Sequence, residues 1–347
     1  MRHHKKSMPY YCTMINIVRK TSTSMKLRHQ IIGAAAFSSL LLCPYSSNAF
    51  AGANSFSRPL NPSSHAAKAE TTQLSSFPKA ISVSPGEYES VEEQKILNPI
   101  DENCTVLIVG STRGIGIEFV KQCLSKGATV IATYRSDDIP YSLSIYKGIE
   151  ALHAVQMDLE DGSSIERVAK DLRSRTDIQP ITHIIQNAGI YLPETSFDGS
   201  ARSNRAAAPK VTKEVMMKTF EINSVAPLLV AQNFVPLLKT RQPQLMPVIA
   251  FITSKVASVD DNSSGGSYAY RASKSALNIV AKSLSIDLCD KARVVLLHPG
   301  YVRTDMTNRN GLIDADVSVS GMLKAIENTD AKTGFRFVDY KACLIPW

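Results

Sequence analysis

Short apolar runs, rich in β-branched residues, alternate with amphipathic segments through residues 102–347. The runs predict strands at 105–109, 129–133, 152–157, 181–186, 247–253, 293–297 and 335–338. Apolar positions at helical spacing predict helices at 115–125, 163–175, 211–240 and around 270–284, and a loop with a helix at 305–325. This alternation predicts one α/β domain, at 101–347, with a parallel sheet of about seven strands and helices on both faces.

Charge and cysteine content exclude two classes of function. The first 69 residues contain nine Lys and Arg but no Asp or Glu. Residues 70–347 hold the other 30 of the 39 basic side chains and all 31 acidic ones, a net charge of −1, so this part has no basic excess for nucleic acid. The six cysteines, at 12, 43, 104, 123, 289 and 343, form no Cys-x-x-Cys pair. The sequence thus predicts reduced thiols, without a zinc site or a disulfide framework.

The first 100 residues predict a targeting leader in two parts. Residues 1–50 include a signal-like segment, with a basic start, an apolar run at 31–43 and small residues before Phe50. That run is too short to span a bilayer as a stable helix, so the mature protein is predicted to have no membrane segment. Residues 51–100 form a Ser/Ala/Pro-rich, transit-like segment and a polar linker with a disordered composition. Together they resemble the presequence of plastids bounded by extra membranes; secretion and a mitochondrial presequence stay open.

A glycine-rich turn follows the first strand and leads into a helix and a second strand, all within about 30 residues. Gly110 allows a sharp turn, Gly114 lets the backbone approach a pyrophosphate, and Gly116 lets the helix pack on the strand. The helix N-terminus adds amide donors and a positive dipole end. The sequence therefore predicts a dinucleotide site, with the phosphates surrounded by Gly110, Thr112, Arg113, Gly114, Ile115 and Gly116.

A tyrosine and a lysine stand four residues apart on the helix around 270–284 and share one face, as Tyr270 and Lys274. A free phenol has a pKa near ~10, and an ammonium one turn away is expected to lower it. Tyr268 lies on another side of the helix. The pair alone is a weak signal, but next to a dinucleotide site it indicates an acid for proton transfer.

The spacing Gly-x-x-x-Gly-x-Gly, together with Tyr270 and Lys274, resembles the short-chain dehydrogenase/reductase family over residues 102–347. The segments at 270–278, 298–300 and 334–347 look like its carbonyl-reductase branch, related to sniffer and the bacterial C-factor proteins. The resemblance implies a single Rossmann-type, doubly wound sheet with strand order 3-2-1-4-5-6-7. It also implies reversible hydride transfer between NADP(H) and a small carbonyl substrate, an aldehyde or a ketone.

The resemblance assigns roles to individual residues. Tyr270 would donate a proton, Lys274 would tune it and bind the nicotinamide ribose, Ser254 would hold the substrate oxygen, and Asn223 would position a water. Pro227 lacks the amide that would bond the Asn223 carbonyl, so we hypothesise that it exposes that oxygen. The further cofactor contacts are Asp158 and Leu159 by the adenine, Asn187, Ala188 and Gly189 beneath the ribose, and Pro299, Val302 and Thr304 around the nicotinamide.

The choice of dinucleotide depends on the end of the second predicted strand. A carboxylate there would bind a ribose 2′-hydroxyl, but this strand ends in Tyr134 and Arg135. Arg135 and Arg113, which lies in the glycine turn, suit a 2′-phosphate through charge-assisted bonds. We therefore predict a preference for NADP(H).

The chain departs from the family pattern at four places, and other functions stay open. Val109 stands where Thr or Ser is usual, Gln186 where Asn is usual and Ala257 where Gly is usual, and Ser254 precedes Tyr270 by sixteen residues rather than thirteen.

A 3-oxoacyl-thioester reductase is a second enzyme hypothesis. An NADPH-binding sensor with little turnover is a third, because fold does not fix function. A homo-oligomer stays open, and residues 345–347 are predicted to fold back over the domain edge.

Overall fold

The computed structural model describes residues 97–192, 197–200, 209–242, 245–330 and 332–347. The predictions of a signal-like segment, a transit-like segment and most of the linker fall on residues 1–96, outside the described residues. Within the described part, no helix is long and apolar enough to cross a membrane.

The described residues form one parallel sheet whose strand order, 3-2-1-4-5-6-7, confirms the prediction. Each strand is a run of apolar or β-branched residues, and β1 and β5 are buried along their whole length. The strands are β1 (Thr105–Val109), β2 (Thr129–Tyr134), β3 (Leu152–Gln156), β4 (His183–Gln186), β5 (Val248–Ile252), β6 (Arg293–His298) and β7 (Arg336–Asp339).

Helices connect the strands and cover both faces of the sheet. In the described residues they are α1 (Gly114–Ser125), α2 (Tyr141–Ser144), α3 (Gly162–Ser174), α4 (Lys213–Phe220), α5 (Ala226–Phe234), α6 (Tyr268–Asp287) and α7 (Ala315–Glu327). On one face Phe119 of α1 and Met322 of α7 are buried. On the other, the apolar stripes of α3, α5 and α6 bring in Ile165, Phe234 and Leu277. The carboxyl ends of the strands therefore meet along one edge, where ligands bind in open α/β sheets.

The helix predicted for 211–240 is observed as a helical run from Lys213 to Leu237, but it is not one regular α-helix. The helical run is divided by a π turn at Glu221–Val225, in which the Ala226 amide donates to the carbonyl of Glu221, five residues back. Pro227 follows in the first turn of α5, a position where a missing amide costs little. The extra residue of the π turn accommodates the proline without ending the helical run.

The last residues of the predicted linker pack on the domain. Asn98 and Ile100 are buried, and their amides donate to the main-chain oxygen and the side chain of Glu327, at the end of α7. The prediction of a disordered linker is therefore wrong for residues 97–100. At the other end, Ile345 is buried and Trp347 stacks on Phe335, which confirms the predicted return of residues 345–347 over the domain edge.

A buried histidine makes the stability of this core depend on pH. His183 begins β4, lies between β1 and β5, and has its Nδ1 2.8 Å from the Thr182 hydroxyl. Burial lowers the pKa of His183 to about 3. Because the unfolded chain binds this proton near pH ~6.5, the stability from the neutral ring is present above that pH and is lost as the pH falls towards the folded value. We expect the free energy of unfolding at about pH 5 to be about 2 kcal/mol lower than at about pH 7 because of this histidine, as measured by urea unfolding.

His183→Gln isolates this effect because glutamine does not ionise. Its free energy of unfolding should change less between about pH 7 and about pH 5 than that of the wild type, by about 2 kcal/mol. The comparison does not depend on the absolute stability of the variant. His298, whose pKa burial lowers to about 4, contributes to the remaining pH dependence in both proteins. An unchanged pH dependence in the variant would contradict the prediction.

Candidate functional site

A cleft of about 470 Å³ lies at the carboxyl ends of the strands and contains most of the residues predicted to bind a cofactor. It extends from the glycine turn and the ends of β2 and β3 to Tyr270 on α6. The predicted residues that line it are Gly110, Thr112, Arg113, Gly114, Ile115, Arg135, Asp158, Leu159, Asn187, Ala188, Gly189, Tyr270, Lys274, Pro299 and Thr304.

Hydrogen bonds to two other segments, the end of β2 and the residues after β4, fix the glycine turn. The Gly110 amide donates to the Thr133 hydroxyl at 3.0 Å, and the Ser111 hydroxyl donates to the Thr133 carbonyl at 2.7 Å. The Asn187 amide group donates to the Gly110 carbonyl at 2.6 Å. These bonds hold the turn although Val109 brings no hydroxyl, and the Val109 carbonyl itself accepts the amides that follow β4.

The backbone conformation of the glycine turn is the one that the predicted dinucleotide site requires for a pyrophosphate. Gly110 has φ +79°, and a Cβ there would lie 2.7 Å from the Ala188 Cβ. Gly114 has φ +53°, also in the left-handed region that favours glycine. A Cβ on Gly116 would lie 2.0 Å from the Gly110 carbonyl oxygen, so α1 touches the turn here, as its predicted packing role requires. The positive end of α1 and its free amides therefore open on the cleft.

Two arginines stand at the rim of the cleft, each beside a carboxylate. Arg113 is 3.9 Å from Asp305, and Arg135 is 3.3 Å from Glu160. Glu160 is also paired with Lys218 of α4, at 2.5 Å. The arginine side chains are about three-quarters exposed, and exposed ion pairs of this kind contribute only about 0–1 kcal/mol. An incoming phosphate can therefore replace the carboxylates at small cost.

Tyr270 and Ser254 meet at the other end of the cleft. Ser254 follows β5 and caps the short turn at Lys255–Ala257, and its side chain lies close enough to Tyr270 to affect the pKa of the phenol. The Tyr270 ring also meets the ring of Tyr191 edge to face, with 5.1 Å between the centroids. Burial raises the pKa of Tyr270 to about 12, while the nearby Ser254 side chain acts in the opposite direction.

The prediction that Lys274 lowers the Tyr270 pKa is therefore wrong, because burial of the phenol raises it. The Lys274 ammonium donates to the Ile252 carbonyl at the end of β5, at 2.9 Å, and is buried. Burial lowers the pKa of Lys274 to about 8, so the side chain is still mostly charged at neutral pH. Burial removes water from around the phenol, and this raises the pKa of Tyr270 more than the charge of Lys274, one turn away, lowers it.

Asn223 lies in the π turn behind the lining of the cleft. Its side-chain oxygen accepts the Ile190 amide at 2.8 Å, and its nitrogen donates to the Ile190 carbonyl and to the Ser273 hydroxyl. A Cβ on Gly189 would lie 3.2 Å from both the Asn223 oxygen and the Lys274 nitrogen. The structure thus places Asn223 beside Lys274, and its role in positioning a water stays a prediction.

Three other predicted residues are near the cleft without lining it. Gly116 is buried behind the glycine turn, Ser254 reaches the site through Tyr270, and Val302 is buried and paired with Ile313. Sequence reasoning missed four residues with clear contacts at the site: Thr133, Glu160, Tyr191 and Asp305. The position of Glu160 after β3 and of Asp305 after Thr304 was a usable signal, because both follow strands that end at the site.

Known proteins resemble this chain in sequence and in fold. Residues 104–312 match the family model of short chain dehydrogenases. Over 133 residues the chain is 44% identical to C-signal of Myxococcus xanthus, which covers 38% of this chain and 78% of that protein. The carbonyl reductase Sniffer of D. melanogaster superposes with a TM-score of 0.62 at 29% identity, over 71% of this chain and 99% of that one. An NADPH-bound carbonyl reductase from chicken fatty liver superposes with a TM-score of 0.61 at 29% identity, over 72% and 100%. The chain belongs to the short chain dehydrogenase family and is similar to the carbonyl reductases within it.

Proposed function

We propose that this protein is an oxidoreductase that uses NADPH to reduce an aldehyde or a ketone. One observation carries the proposal: Ser254 and Tyr270 come together, close enough for Ser254 to lower the pKa of the phenol, at the end of a cleft lined by the residues predicted to bind a dinucleotide. Two hydroxyls so placed can both reach one carbonyl oxygen. The similarity to carbonyl reductases supports the same reaction.

The protein residues act on the oxygen of the substrate. Bound NADPH supplies the hydride to the carbonyl carbon. Ser254 donates a hydrogen bond to the oxygen as negative charge develops, and Tyr270 transfers its proton to give the alcohol. A Tyr270 pKa of about 12 keeps the phenol protonated and ready to donate at neutral pH. The charge on Lys274 then favours the phenolate that remains.

Arg113 and Arg135 select NADPH over NADH in this proposal. Replacing both with Ala should raise the KM for NADPH at least about tenfold, because two charge-assisted contacts to the 2′-phosphate are lost. The KM for NADH should change by less than about threefold. Initial rates with each dinucleotide at a fixed carbonyl concentration provide the measurement.

A remote arginine serves as the control for the loss of charge. Arg173 is exposed in the last turn of α3, outside the lining of the cleft, so Arg173→Ala should leave both KM values unchanged. Equal effects of the double variant on NADPH and NADH would contradict the assignment of the two arginines.

Assays of substrate class test the reaction itself. NADPH absorbance should fall with some members of a panel of aldehydes, ketones and quinones, and the products should be alcohols or hydroquinones. Activity confined to 3-oxoacyl thioesters would favour the second enzyme hypothesis. The contact between Ser254 and Tyr270 favours turnover over a purely sensory role, and binding of NADPH without oxidation by any carbonyl would refute the proposed function.

A further inference from the structure

The last five residues form a strap along the edge of the sheet, at 343–347. The Asp339 amide donates to the Cys343 carbonyl, and the Ile345 amide donates to the Phe337 carbonyl, both at 2.9 Å. Leu344 pairs with Val338 of β7 in an antiparallel bridge. The strap thus reverses direction after β7 and runs back beside it.

An aromatic stack fixes the end of the strap. The Trp347 ring is 5.6 Å from the Phe335 ring, nearly parallel to it at 9°, and 5.8 Å from the Phe337 ring. The ammonium of Lys282, on α6, lies 5.2 Å from the centre of the Phe335 ring. About half of the surface of Trp347 stays exposed, so this residue does not fill the core. Stacking instead sets where the backbone of Trp347 lies.

The Trp347 backbone oxygen reaches the loop that follows Ser254. It accepts the Asp260 amide at 2.9 Å and the Ser258 hydroxyl at 3.1 Å. Ser258 is buried, and its oxygen also accepts the Asp261 amide at 3.0 Å. These bonds fix the start of the loop that accommodates the longer spacing between Ser254 and Tyr270.

The short turn at Lys255–Ala257 joins Ser258, which bonds the Trp347 oxygen, to Ser254. The Ala257 amide donates to the Ser254 carbonyl at 2.9 Å, and the Ser258 amide donates to the Lys255 carbonyl at 3.0 Å. On the inner side the Ser275 hydroxyl, on α6, donates to the Ala257 carbonyl at 2.6 Å. The turn that carries Ser254 is therefore held between α6, which also carries the catalytic tyrosine, and Trp347.

We propose that Trp347 is a positioning residue for the reduction. Its stacked ring holds its backbone oxygen against Ser258 and Asp260, and this contact sets the distance at which the Ser254 hydroxyl meets Tyr270. The proposal rests on the proposed function for its effect on rate, but the contact itself can be measured without turnover. Misplacement of a catalytic group by about 1 Å can cost as much as about a hundredfold in rate.

Four variants test the strap: Trp347→Gly, Trp347→Phe, Ser258→Ala and Leu344→Ala. Trp347→Gly should lower kcat about tenfold while the Kd for NADPH, from the fluorescence of the nucleotide, stays within about twofold. Trp347→Phe keeps a ring for the stack and should restore kcat to within about twofold of the wild type. Ser258→Ala should lower kcat by less than Trp347→Gly does. Leu344→Ala is the matched control, because that side chain belongs to the same strap and is mostly exposed.

Amide hydrogen exchange provides the second readout. In Trp347→Gly the peptide spanning residues 255–266 should exchange faster, while peptides from β1 and α1 keep their wild-type rates. Wild-type exchange of the 255–266 peptide in Trp347→Gly would overturn the proposal. So would a fall in kcat that Trp347→Phe does not restore, or a matching fall in NADPH affinity. If no carbonyl compound supports NADPH oxidation by the wild type, the proposed function fails. The exchange rates still decide whether the strap holds this loop.

Discussion

Replacing Tyr270 with Phe is expected to lower kcat for carbonyl reduction by about a thousandfold, while NADPH binds as tightly as before. The variant keeps the ring that packs against Tyr191 and loses only the hydroxyl that lies near Ser254. General-acid catalysis by a positioned side chain contributes about 10²–10⁴-fold to the rate. The measurements are NADPH oxidation at saturating carbonyl and a direct titration of nucleotide binding.

Tyr268→Phe provides the control for this substitution. Tyr268 lies on the same helix two residues earlier, is partly exposed and does not line the cleft, so its loss of a hydroxyl should leave kcat unchanged. A Tyr270→Phe enzyme with the wild-type rate would remove the basis of the proposed reaction. A fall in both NADPH affinity and melting temperature would indicate a structural role instead.

The pKa shifts of Tyr270 and Lys274 decide in which protonation state the tyrosine stands before the proposed reaction. Helical spacing alone predicts that Lys274 lowers the pKa of Tyr270 and favours the phenolate. In the folded chain burial dominates, so the phenol stays protonated and the lysine has a pKa of about 8. A protonated donor is the form that carbonyl reduction requires. In the proposed reaction, the charge of Lys274 acts after the proton has left, because a nearby cation stabilises the phenolate.

Most of the fold could be predicted from the sequence because local signals and topology agree. The buried strands are continuous apolar runs, and the order of the sheet follows from the family resemblance. The break at Glu221–Val225 could not be predicted as a π turn. A proline inside a helical pattern is compatible with a kink, an end or a bulge, and packing around Asn223 selects among them.

The candidate site was predicted best where residues act through the backbone. Gly110 and Gly114 have the left-handed φ that their spacing indicates, and both line the cleft. Contacts between distant segments were missed, such as Tyr191 with Tyr270 and Arg135 with Glu160. Neither pair has a fixed separation along the chain, so only the folded arrangement brings the side chains together.

Replacing Gly116 with Ala is expected to lower the free energy of unfolding by about 3 kcal/mol and to weaken NADPH binding at least about tenfold. The added Cβ would lie 2.0 Å from the Gly110 oxygen and 2.8 Å from the Asn187 side-chain nitrogen. Neither neighbour can move freely, because Asn187 bonds the same Gly110 carbonyl at 2.6 Å. α1 must therefore shift away from β1 and take its amide donors away from the phosphate position.

Gly162→Ala is the matched substitution, because Gly162 begins α3 and a Cβ there has no neighbour within 4 Å. Alanine also has a higher helix propensity than glycine, so this variant should be as stable as the wild type or slightly more stable. Urea unfolding and NADPH titration of the two variants measure both effects. Equal stability and equal affinity of the two variants would show that α1 does not need its close approach to the glycine turn, and the assignment of the phosphate site would fail with it.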